Sequence, residues 1–292
     1  MLSLIICSRT KEISLHFKEN IQDTIGCEYE LISIDNSDNQ YSIFEAYNIG
    51  LEKSKNKLIC FLHDDILMHT NDWGKTIIRI FEEDQNVGLI GVAGSKIKTK
   101  MPSAWWNCPE DQKAIHLIQH FKEQGVKENW SFGFENKTNV EAAAIDGVFI
   151  ALKKDERIRF NDRMKGFHNY DLNISFEYKR FNYKIIITNE ILIEHFSNGS
   201  MNKEWVDSTF KIHNLYKEIL PIRTNNEFSV ESLKVLEFEN GIKYVNHSLN
   251  FKFKKNAILV WFNLFKMKPY SNSYIKFSKK LIRLILLRTF QY

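Results

Sequence analysis

The chain has 292 residues, of which 43% are hydrophobic, and it holds only 4 Pro and 12 Gly, so a large folded core is expected and a low-complexity sequence is excluded. The net charge of +4 is unevenly distributed, because residues 251–292 carry ten Lys or Arg and no Asp or Glu, whereas residues 1–250 carry 30 basic and 36 acidic residues. An acidic body argues against nucleic acid as a partner.

The cysteines and the apolar runs indicate the cellular compartment of the protein. The four cysteines lack the spacing of metal ligands, and we expect reduced thiols in a cytosolic protein. The first residues lack the basic region of a signal peptide, and no apolar run reaches the roughly 18 residues of a membrane span. We therefore expect neither a cleaved leader nor a spanning helix.

Strands and helices alternate at the start of the chain. Short apolar runs predict strands, and apolar residues repeated on one helical face predict helices. This alternation is typical of a mainly parallel sheet with helices on both faces. The predicted strands cover residues 4–7, 28–34, 58–62 and 87–92, and the predicted helices cover residues 11–23, 42–54 and 73–83.

The third predicted strand delivers His63, Asp64 and Asp65 at its carboxyl end. Two adjacent carboxylates repel each other unless a cation or water reaches them. Oxygen ligands suit Mg²⁺ or Mn²⁺, ions that also bind substrate phosphates. Ser8-Arg9 and Asp35-Asn36 end the first two strands, and parallel strands end at one edge of a sheet. We therefore expect one polar crevice at this edge.

The alternation stops between residues 94 and 139, which are predicted to form an insertion with one short helix. His116 and His120 are four residues apart, as on one face of a helix. Because no third ligand is nearby in the sequence, we expect an exposed helical face there and no metal site.

The alternation then resumes in a less regular form. A strand is predicted at 140–152 with Asp146-Gly147 in its middle, where Gly suggests a bulge or the close approach of another group. Residues 167–181 are predicted to form a helix with Asp171 in or near its first turn. Two short strands follow, at 184–188 and at 191–196 with His195, and residues beyond 200 are mostly helical.

Several of these segments resemble the family 2 glycosyltransferases of the GT-A fold. His63-Asp64-Asp65 resembles the Asp-x-Asp signature of that family, in the form of a subgroup with His in place of the first Asp. The segment 166–171 resembles the one that supplies the catalytic base, with Tyr170 where the family usually has Glu. His195 falls where the family often places its last metal ligand.

The resemblance covers about residues 3–200 and implies a fold. We expect a GT-A, Rossmann-like α/β domain in residues 1–200, with a mixed, mainly parallel sheet and with 94–139 as an insertion on the acceptor side. Residues 201–292 are expected to form a mostly helical region that ends in a basic tail.

The resemblance also implies a divalent ion, Mn²⁺ or Mg²⁺, that neutralises a leaving nucleoside diphosphate. Asp65 is the first choice as its ligand, His195 is the second, and His63 is a further candidate. A carboxylate must accept the proton of the acceptor hydroxyl. Asp171 is the candidate for this base, and Asp146 is the rival.

Donor contacts are expected at the ends of the first three strands, with Asp64 facing the ribose or the sugar. Asp35 and Asn36 could bond the base or ribose, or could form a simple turn. Trp105 and Trp106 could form a platform for a sugar ring, or could pack the insertion. The predicted donor-side residues are Ser8, Arg9, Asp35, Asn36, Asn48, His63 and Asp64, and the predicted acceptor-side residues are Trp105, Trp106, Asp146 and His168.

The basic tail contains two helical patterns, at 257–267 and 274–290. In the second pattern the basic side chains, such as Lys276 and Arg283, lie on a face partly separate from that of Ile275 and Ile282. This pattern fits a helix in the interface of an anionic membrane. The alternative is a helical subdomain that packs on the body or on a second copy.

The expected function is transfer of a sugar from a nucleotide sugar, with UDP as the expected nucleotide, to a hydroxyl of a glycan or lipid-linked acceptor. We expect inversion at the anomeric carbon, in bacterial surface polysaccharide synthesis at the inner face of the cytoplasmic membrane. One alternative is a sugar-nucleotide-binding protein without transferase activity, because the signature lacks its first Asp. A nucleotidyltransferase would ordinarily show a Gly-rich loop after the first strand, and residues 8–12 contain no Gly.

Overall fold

The computed structural model describes residues 1–121, 125–197, 199–224 and 228–287, and within these ranges the chain forms eight α-helices and three β-sheets. In chain order the elements are β1 (Leu2–Ser8), α1 (Leu15–Thr24), β2 (Tyr29–Asp35), α2 (Ile43–Lys53), β3 (Leu58–Leu62), β4 (Ile66–Met68), α3 (Trp73–Glu83), β5 (Val87–Gly91), β6 (Ala93–Ser95), β7 (Ile97–Lys98), β8 (Lys113–Phe121), β9 (Val126–Phe132), β10 (Asn139–Glu141), β11 (Ala144–Ile145), β12 (Phe149–Lys153), α4 (Tyr170–Arg180), β13 (Lys184–Thr188), β14 (Ile193–His195), α5 (Lys203–Leu215), β15 (Ile222–Arg223), α6 (Val230–Asn250), α7 (Lys254–Met267) and α8 (Asn272–Leu287).

The largest sheet of the described residues has the strand order β10-β13-β5-β12-β3-β1-β2. Strands β1, β2, β3, β5 and β13 run in one direction, and β10 and β12 run in the other. The prediction of a mixed, mainly parallel sheet is therefore confirmed. The predicted positions of the first four strands of this sheet in chain order and of the second and third helices also agree with the structure, whereas α1 begins at Leu15, four residues later than predicted, because Ser14 caps it.

Helices cover both faces of this sheet. Phe61 and Leu62 are neighbours on β3 and therefore point to opposite faces. The ring of Phe61 lies 4.4 Å from that of Tyr47 on α2. On the other face, Leu62 pairs with Phe149, whose ring lies 6.1 Å from that of Trp73 on α3. Both layers are therefore filled by large apolar side chains, as the sequence pattern predicts.

The helix that follows β2 has a strong local signal. Ser42 and Glu45 form a capping box, in which the side chain of each accepts the backbone N–H of the other. Apolar side chains on one face of α2 are then buried against β1 and β2. This anchoring fixes the loop between β2 and α2 at the carboxyl edge of the sheet.

The region 94–139 is built differently from the prediction. His116 and His120 lie on strand β8, so the prediction that they share a helical face is wrong. Among the described residues of this region, the only helical segment is a short 3₁₀ turn at Glu110–Gln112. An apolar run of this length suits a helix or a strand, and β8 becomes a strand because it pairs with β6, β9 and β14. A second sheet, with the order β11-β6-β8-β14-β4, results.

The predicted strand at 140–152 is also wrong in one respect, because Asp146 and Gly147 lie in a turn between β11 and β12. The Asp146 Oδ1 accepts the N–H of Val148 at 2.8 Å, a local bond of the kind that stabilises turns. The expected close approach at Gly147 is confirmed, since a Cβ there would lie 2.2 Å from the hydroxyl oxygen of Tyr170.

The residues beyond 200 form a helical layer with a hydrophobic cluster of its own. Helix α5 contributes Trp205 and Val206 to this cluster and Ile212 to the core of the sheets. Because α5 packs into both clusters, the clusters do not mark a boundary at residue 200. The domain boundary predicted at that residue stays a prediction. Among the described residues, no helix has both the length and the apolar content that crossing a bilayer requires. Residues 288–290 of the predicted last helix lie outside the described ranges.

Candidate active site

A cavity of about 330 Å³, lined by both polar and apolar side chains, lies at the carboxyl ends of β1, β2 and β3. The parallel register, with Ser8 opposite Asp35, brings the three strand ends to one edge of the sheet. Five side chains from the predicted donor side line this cavity, together with the metal candidate Asp65. These residues are Ser8, Arg9, Asn36, His63, Asp64 and Asp65.

Arg9 lies between the two adjacent carboxylates. Its guanidinium Nη2 is 2.6 Å from Asp64 Oδ1 and 3.0 Å from Asp65 Oδ2, and its backbone N–H donates to Asp64 Oδ2 at 2.8 Å. These contacts raise the pKa of Arg9, chiefly through the hydrogen bond to Asp64. The repulsion between the carboxylates is therefore compensated by a cation from the protein itself.

Asp65, His63 and His195 present three ligand atoms that all lie within 4.8 Å of one another. Asp65 Oδ1 is 3.7 Å from His63 Nδ1 and 3.6 Å from His195 Nε2. Burial would raise the pKa of Asp65, but a hydrogen bond from Ser197 and the nearby histidines keep it below its ordinary value. A carboxylate and two imidazoles converging in this way form a set that can hold a divalent metal ion.

The orientation of His195 suits metal binding. Burial, followed by the neighbouring His63, lowers the pKa of His195 to about 4, so its ring is neutral at neutral pH. Its Nδ1 lies 3.1 Å from Gln119 Oε1, an acceptor, so Nδ1 carries the proton. The lone pair of Nε2 therefore faces Asp65.

The ring of His63 is held by the first residue of α4. Its Nε2 lies 2.5 Å from the hydroxyl oxygen of Tyr170, and its Nδ1 lies 3.4 Å from His195 Nε2. When Nε2–H donates to the hydroxyl, Nδ1 is left with a free lone pair toward the other ligands. The ring of Tyr170 reaches this position because Gly147 has no side chain.

Asp171 lies beside this cluster, in a cavity of about 210 Å³ that His63 and Asp146 also line. Asp171 is the second residue of α4, and its Oδ1 accepts the N–H of Leu172 at 2.7 Å. Burial, followed by the negative charge of Asp146, raises the pKa of Asp171 to about 7, against the smaller opposing effect of Lys98. A carboxyl group with such a pKa can accept a proton near neutral pH.

Asp146 is more constrained than Asp171. Its Oδ2 accepts the indole N–H of Trp105 at 2.9 Å, and its Oδ1 accepts the N–H of Val148. Trp106 packs edge-on against Trp105, with ring centroids 5.5 Å apart. Asp146 thus joins the turn after β11 to the two tryptophans, and both of its oxygens are engaged.

The comparison with known families follows this geometry. The sequence matches the model of a family described as "Glycosyltransferase like family" over residues 3–220, well over half of its length. The chain belongs to this family. A search of curated proteins finds no significant match.

Two solved structures are similar in fold to this glycosyltransferase-like chain. GalNAc-T7, solved with UDP, GalNAc and Mn²⁺, matches with a TM-score of 0.50 and 11% identity, over 89% of this chain and 54% of that one. S. aureus TarS, in complex with UDP-GlcNAc, matches with a TM-score of 0.52 and 10% identity, over 91% of this chain and 81% of that one. The chain thus spans about half the length of the GalNAc-T7 structure. Both are GT-A glycosyltransferases, and the predicted GT-A fold is confirmed.

Two predicted donor-side residues of this glycosyltransferase-family chain lie outside the cavity lining. Asn48 is buried, and its amide bonds the backbone N–H and C=O of Phe160, so its position does not support a donor contact. Asp35 is exposed and accepts the N–H of Ser37, as in the simple turn that was the alternative. Asn36 lines the cavity, but its amide bonds both backbone groups of Tyr41 and thereby shapes the loop.

His168 is the remaining residue that was predicted on the acceptor side, and its position assigns it no specific role. His168 lines the same cavity as Asp171, with a pKa lowered by burial. Sequence reasoning missed Gln119 and Ser197 because the first lies in a segment predicted as an insertion and the second in a loop. Tyr170 stands where the resembled family usually has Glu. This departure from the family pattern is the sequence signal that pointed to Tyr170, whose hydroxyl contacts His63.

Proposed function

We propose that this protein transfers a sugar from a UDP-sugar to a hydroxyl group of an acceptor, with inversion and with a divalent metal. The observation that carries the proposal is the position of the His63, Asp65 and His195 cluster between the strand-end cavity and the half-buried Asp171. Both similar structures contain a uridine diphosphate group. Donor and acceptor would meet where these cavities adjoin.

Two imidazole nitrogens and one carboxylate oxygen fit Mn²⁺ better than Mg²⁺, which prefers oxygen ligands. When bound, such an ion neutralises the charge that develops on the leaving diphosphate. His63, Asp65 and His195 would hold it, and Tyr170 and Gln119 orient the two rings. GalNAc-T7, whose structure includes Mn²⁺, is consistent with this choice.

Asp171 acts as the general base in this proposal. It accepts the proton of the acceptor hydroxyl while that oxygen attacks the anomeric carbon and the bond from this carbon to the diphosphate breaks. A single displacement of this kind inverts the configuration. Asp146 is a poorer candidate, because an indole N–H and a backbone N–H already engage its two oxygens.

Thermal unfolding of the full chain with nucleoside diphosphates tests the proposal. A ligand that binds only the native state raises the unfolding temperature as its concentration exceeds its dissociation constant. We expect UDP with Mn²⁺ to stabilise the protein more than GDP, CDP or ADP with Mn²⁺, and more than UDP with EDTA. Binding of UDP without hydrolysis or transfer of any UDP-sugar would support the alternative of a sugar-nucleotide-binding protein. No stabilisation by any nucleotide would overturn the donor assignment.

We also propose that helices α7 and α8 attach the enzyme to the inner face of a bacterial membrane, where surface polysaccharides are assembled. Leu259, Phe262 and Phe265 on α7 and Ile275 and Ile282 on α8 are exposed large apolar side chains. Exposed basic residues lie on the same helices, and residues 251–292 contain no acid. An anionic lipid surface complements both properties.

A further inference from the structure

A second groove, of about 690 Å³, lies between the β8–β9 hairpin and the segment with Trp105 and Trp106. Its floor is one face of the hairpin, because alternate residues of a strand share a face. Ile115 pairs with Phe132 and Leu117 pairs with Trp130, and all four line the groove. A row of cross-strand apolar pairs therefore faces the two tryptophans.

The surface of this groove combines flat apolar faces with polar groups. Trp106 and Phe132 are 38% and 37% exposed, so part of each ring is open to the groove. Glu110 and Lys113 also line the groove, and the ammonium of Lys113 lies 2.5 Å from the carboxylate of Glu110. Sugar rings match this mixture, because each has an apolar C–H face and a polar rim of hydroxyls.

The groove leads to the candidate base. It shares Trp105, Asp146 and His195 with the cavity that contains Asp171. The groove therefore adjoins the cavity that contains Asp171, and His63 lines both that cavity and the strand-end cavity. This continuity distinguishes the groove from an isolated apolar patch.

We propose that the groove binds a glycan of several sugar rings as the acceptor, with the rings placed against Trp106, Trp130 and Phe132. This inference rests on the proposed glycosyltransferase function and specifies its acceptor class. The nine residues of β8 span roughly 26 Å, which exceeds the length of a single sugar ring. A hydrocarbon chain would leave Glu110, Lys113 and Asp146 facing apolar groups, so a lipid tail fits the groove less well.

Binding of the full chain to a printed array of defined oligosaccharides, from monosaccharides to hexasaccharides, tests the proposal. We expect binding that strengthens with the number of rings, and about tenfold weaker binding of the best oligosaccharide by Trp130→Ala. Asn129→Ala is the matched control, because Asn129 is exposed on the opposite face of β9, and it should bind as the wild type does. Phe132→Ala gives a second reading if Trp130→Ala fails to fold.

The outcomes separate this inference from the donor assignment. UDP with Mn²⁺ reports on the donor site alone, so stabilisation by UDP combined with no oligosaccharide binding would overturn the glycan groove and leave the donor site intact. Oligosaccharide binding that is equally strong in wild type, Trp130→Ala and Phe132→Ala would also overturn it. Binding of a long-chain alkyl phosphate that depends on Trp130, with no binding of saccharides, would assign the groove to a lipid instead.

Discussion

The hydroxyl oxygen of Tyr170 lies 2.5 Å from Nε2 of His63, so the helix that carries Asp171 is bonded directly to the cluster that can hold a metal ion. Tyr170 and Asp171 are consecutive residues; the hydroxyl of Tyr170 contacts His63, and Asp171 lines the cavity of about 210 Å³ beside it. The position of Asp171 relative to the His63 ring is therefore set by the backbone of two consecutive residues. A change at Tyr170 should affect both functions.

Tyr170→Phe tests this coupling. The ring should keep its contacts with Tyr47 and His63, while the bond that orients His63 is lost. Loss of a group that orients a ligand typically lowers metal affinity by about 10–100-fold. Titration of Mn²⁺ in the presence of UDP, followed by thermal stability, measures the change. Tyr178→Phe is the matched control on the same helix, because the Tyr178 hydroxyl bonds Lys153 far from the cavity; equal losses in both variants would refute the coupling.

Asp65→Ala should abolish the dependence of UDP binding on Mn²⁺. Asp65 supplies the negative charge of the three-residue set, and two imidazoles without a carboxylate bind a divalent ion weakly. The fold should survive, since the substitution also leaves Arg9 paired with Asp64. Isothermal titration of UDP with and without Mn²⁺ measures the effect, with the exposed Asp23→Ala as control. Retained Mn²⁺-dependent binding in Asp65→Ala would remove Asp65 from the metal site.

The parts of the site that could be predicted from the sequence are those whose positions follow from the direction of the strands. Ser8, Asn36 and His63 could be placed together from the sequence, because parallel strands must end at one edge. The capping box of Ser42 and Glu45 likewise marks the start of α2 in the sequence itself. Local signals and strand order agree in this half of the chain.

The parts that could not be predicted depend on pairing between distant segments. Residues 113–121 become a strand because of three partners, two of which lie more than ten residues away in the chain, and Gln119 reaches His195 only in that pairing. Asn48 lies in the expected helix but turns toward Phe160, which no local pattern indicates. Side-chain direction at such positions is decided by tertiary contacts.

Asp171→Asn should separate donor binding from chemistry. Asn has almost the same shape but cannot accept a proton, so transfer or hydrolysis should fall by about 10²–10⁴-fold while UDP affinity is retained. Asp146→Asn is the comparison, because Asp146 lines the same cavity. If Asp146→Asn loses activity in this way and Asp171→Asn does not, the base is Asp146.

The pH dependence should report the same group. Because the pKa of Asp171 is about 7, activity should rise with pH through this value as the carboxyl ionises. Asp146 raises this pKa and Lys98 lowers it, so Asp146→Asn should move the midpoint to lower pH. A profile that is flat around neutral pH in the wild type, when chemistry limits the rate, would contradict the assignment.

Stability should change in the opposite direction to activity. The folded protein binds the Asp171 proton more tightly than the unfolded chain does, so ionisation of Asp171 destabilises the fold as pH rises from the ordinary carboxyl pKa toward 7. Asn is neutral throughout, and Asp171→Asn should therefore unfold at a higher temperature than the wild type above pH 7, with a smaller difference in acid. Thermal unfolding across pH checks this; a variant less stable at every pH would indicate a structural role for the carboxylate.

The membrane proposal is best tested by charge rather than by truncation. Tyr274, Phe277 and Leu281 of α8 are buried in the second hydrophobic cluster, so removal of residues 271–292 would expose that cluster. The exposed residues Lys276, Lys279 and Arg283 can instead be changed to Glu without disturbing the packing.

Each basic side chain near an anionic surface contributes about 1 kcal/mol, so this triple reversal should abolish most of the binding to vesicles that contain phosphatidylserine or phosphatidylglycerol. Binding of the wild type should also weaken with salt. The matched control reverses Lys53, Lys55 and Lys57, which are exposed on the sheet domain. Co-sedimentation with vesicles measures both variants, and UDP with Mn²⁺ should still stabilise them. If the triple reversal in α8 binds vesicles as strongly as the wild type does, the tail serves a partner other than an anionic lipid surface.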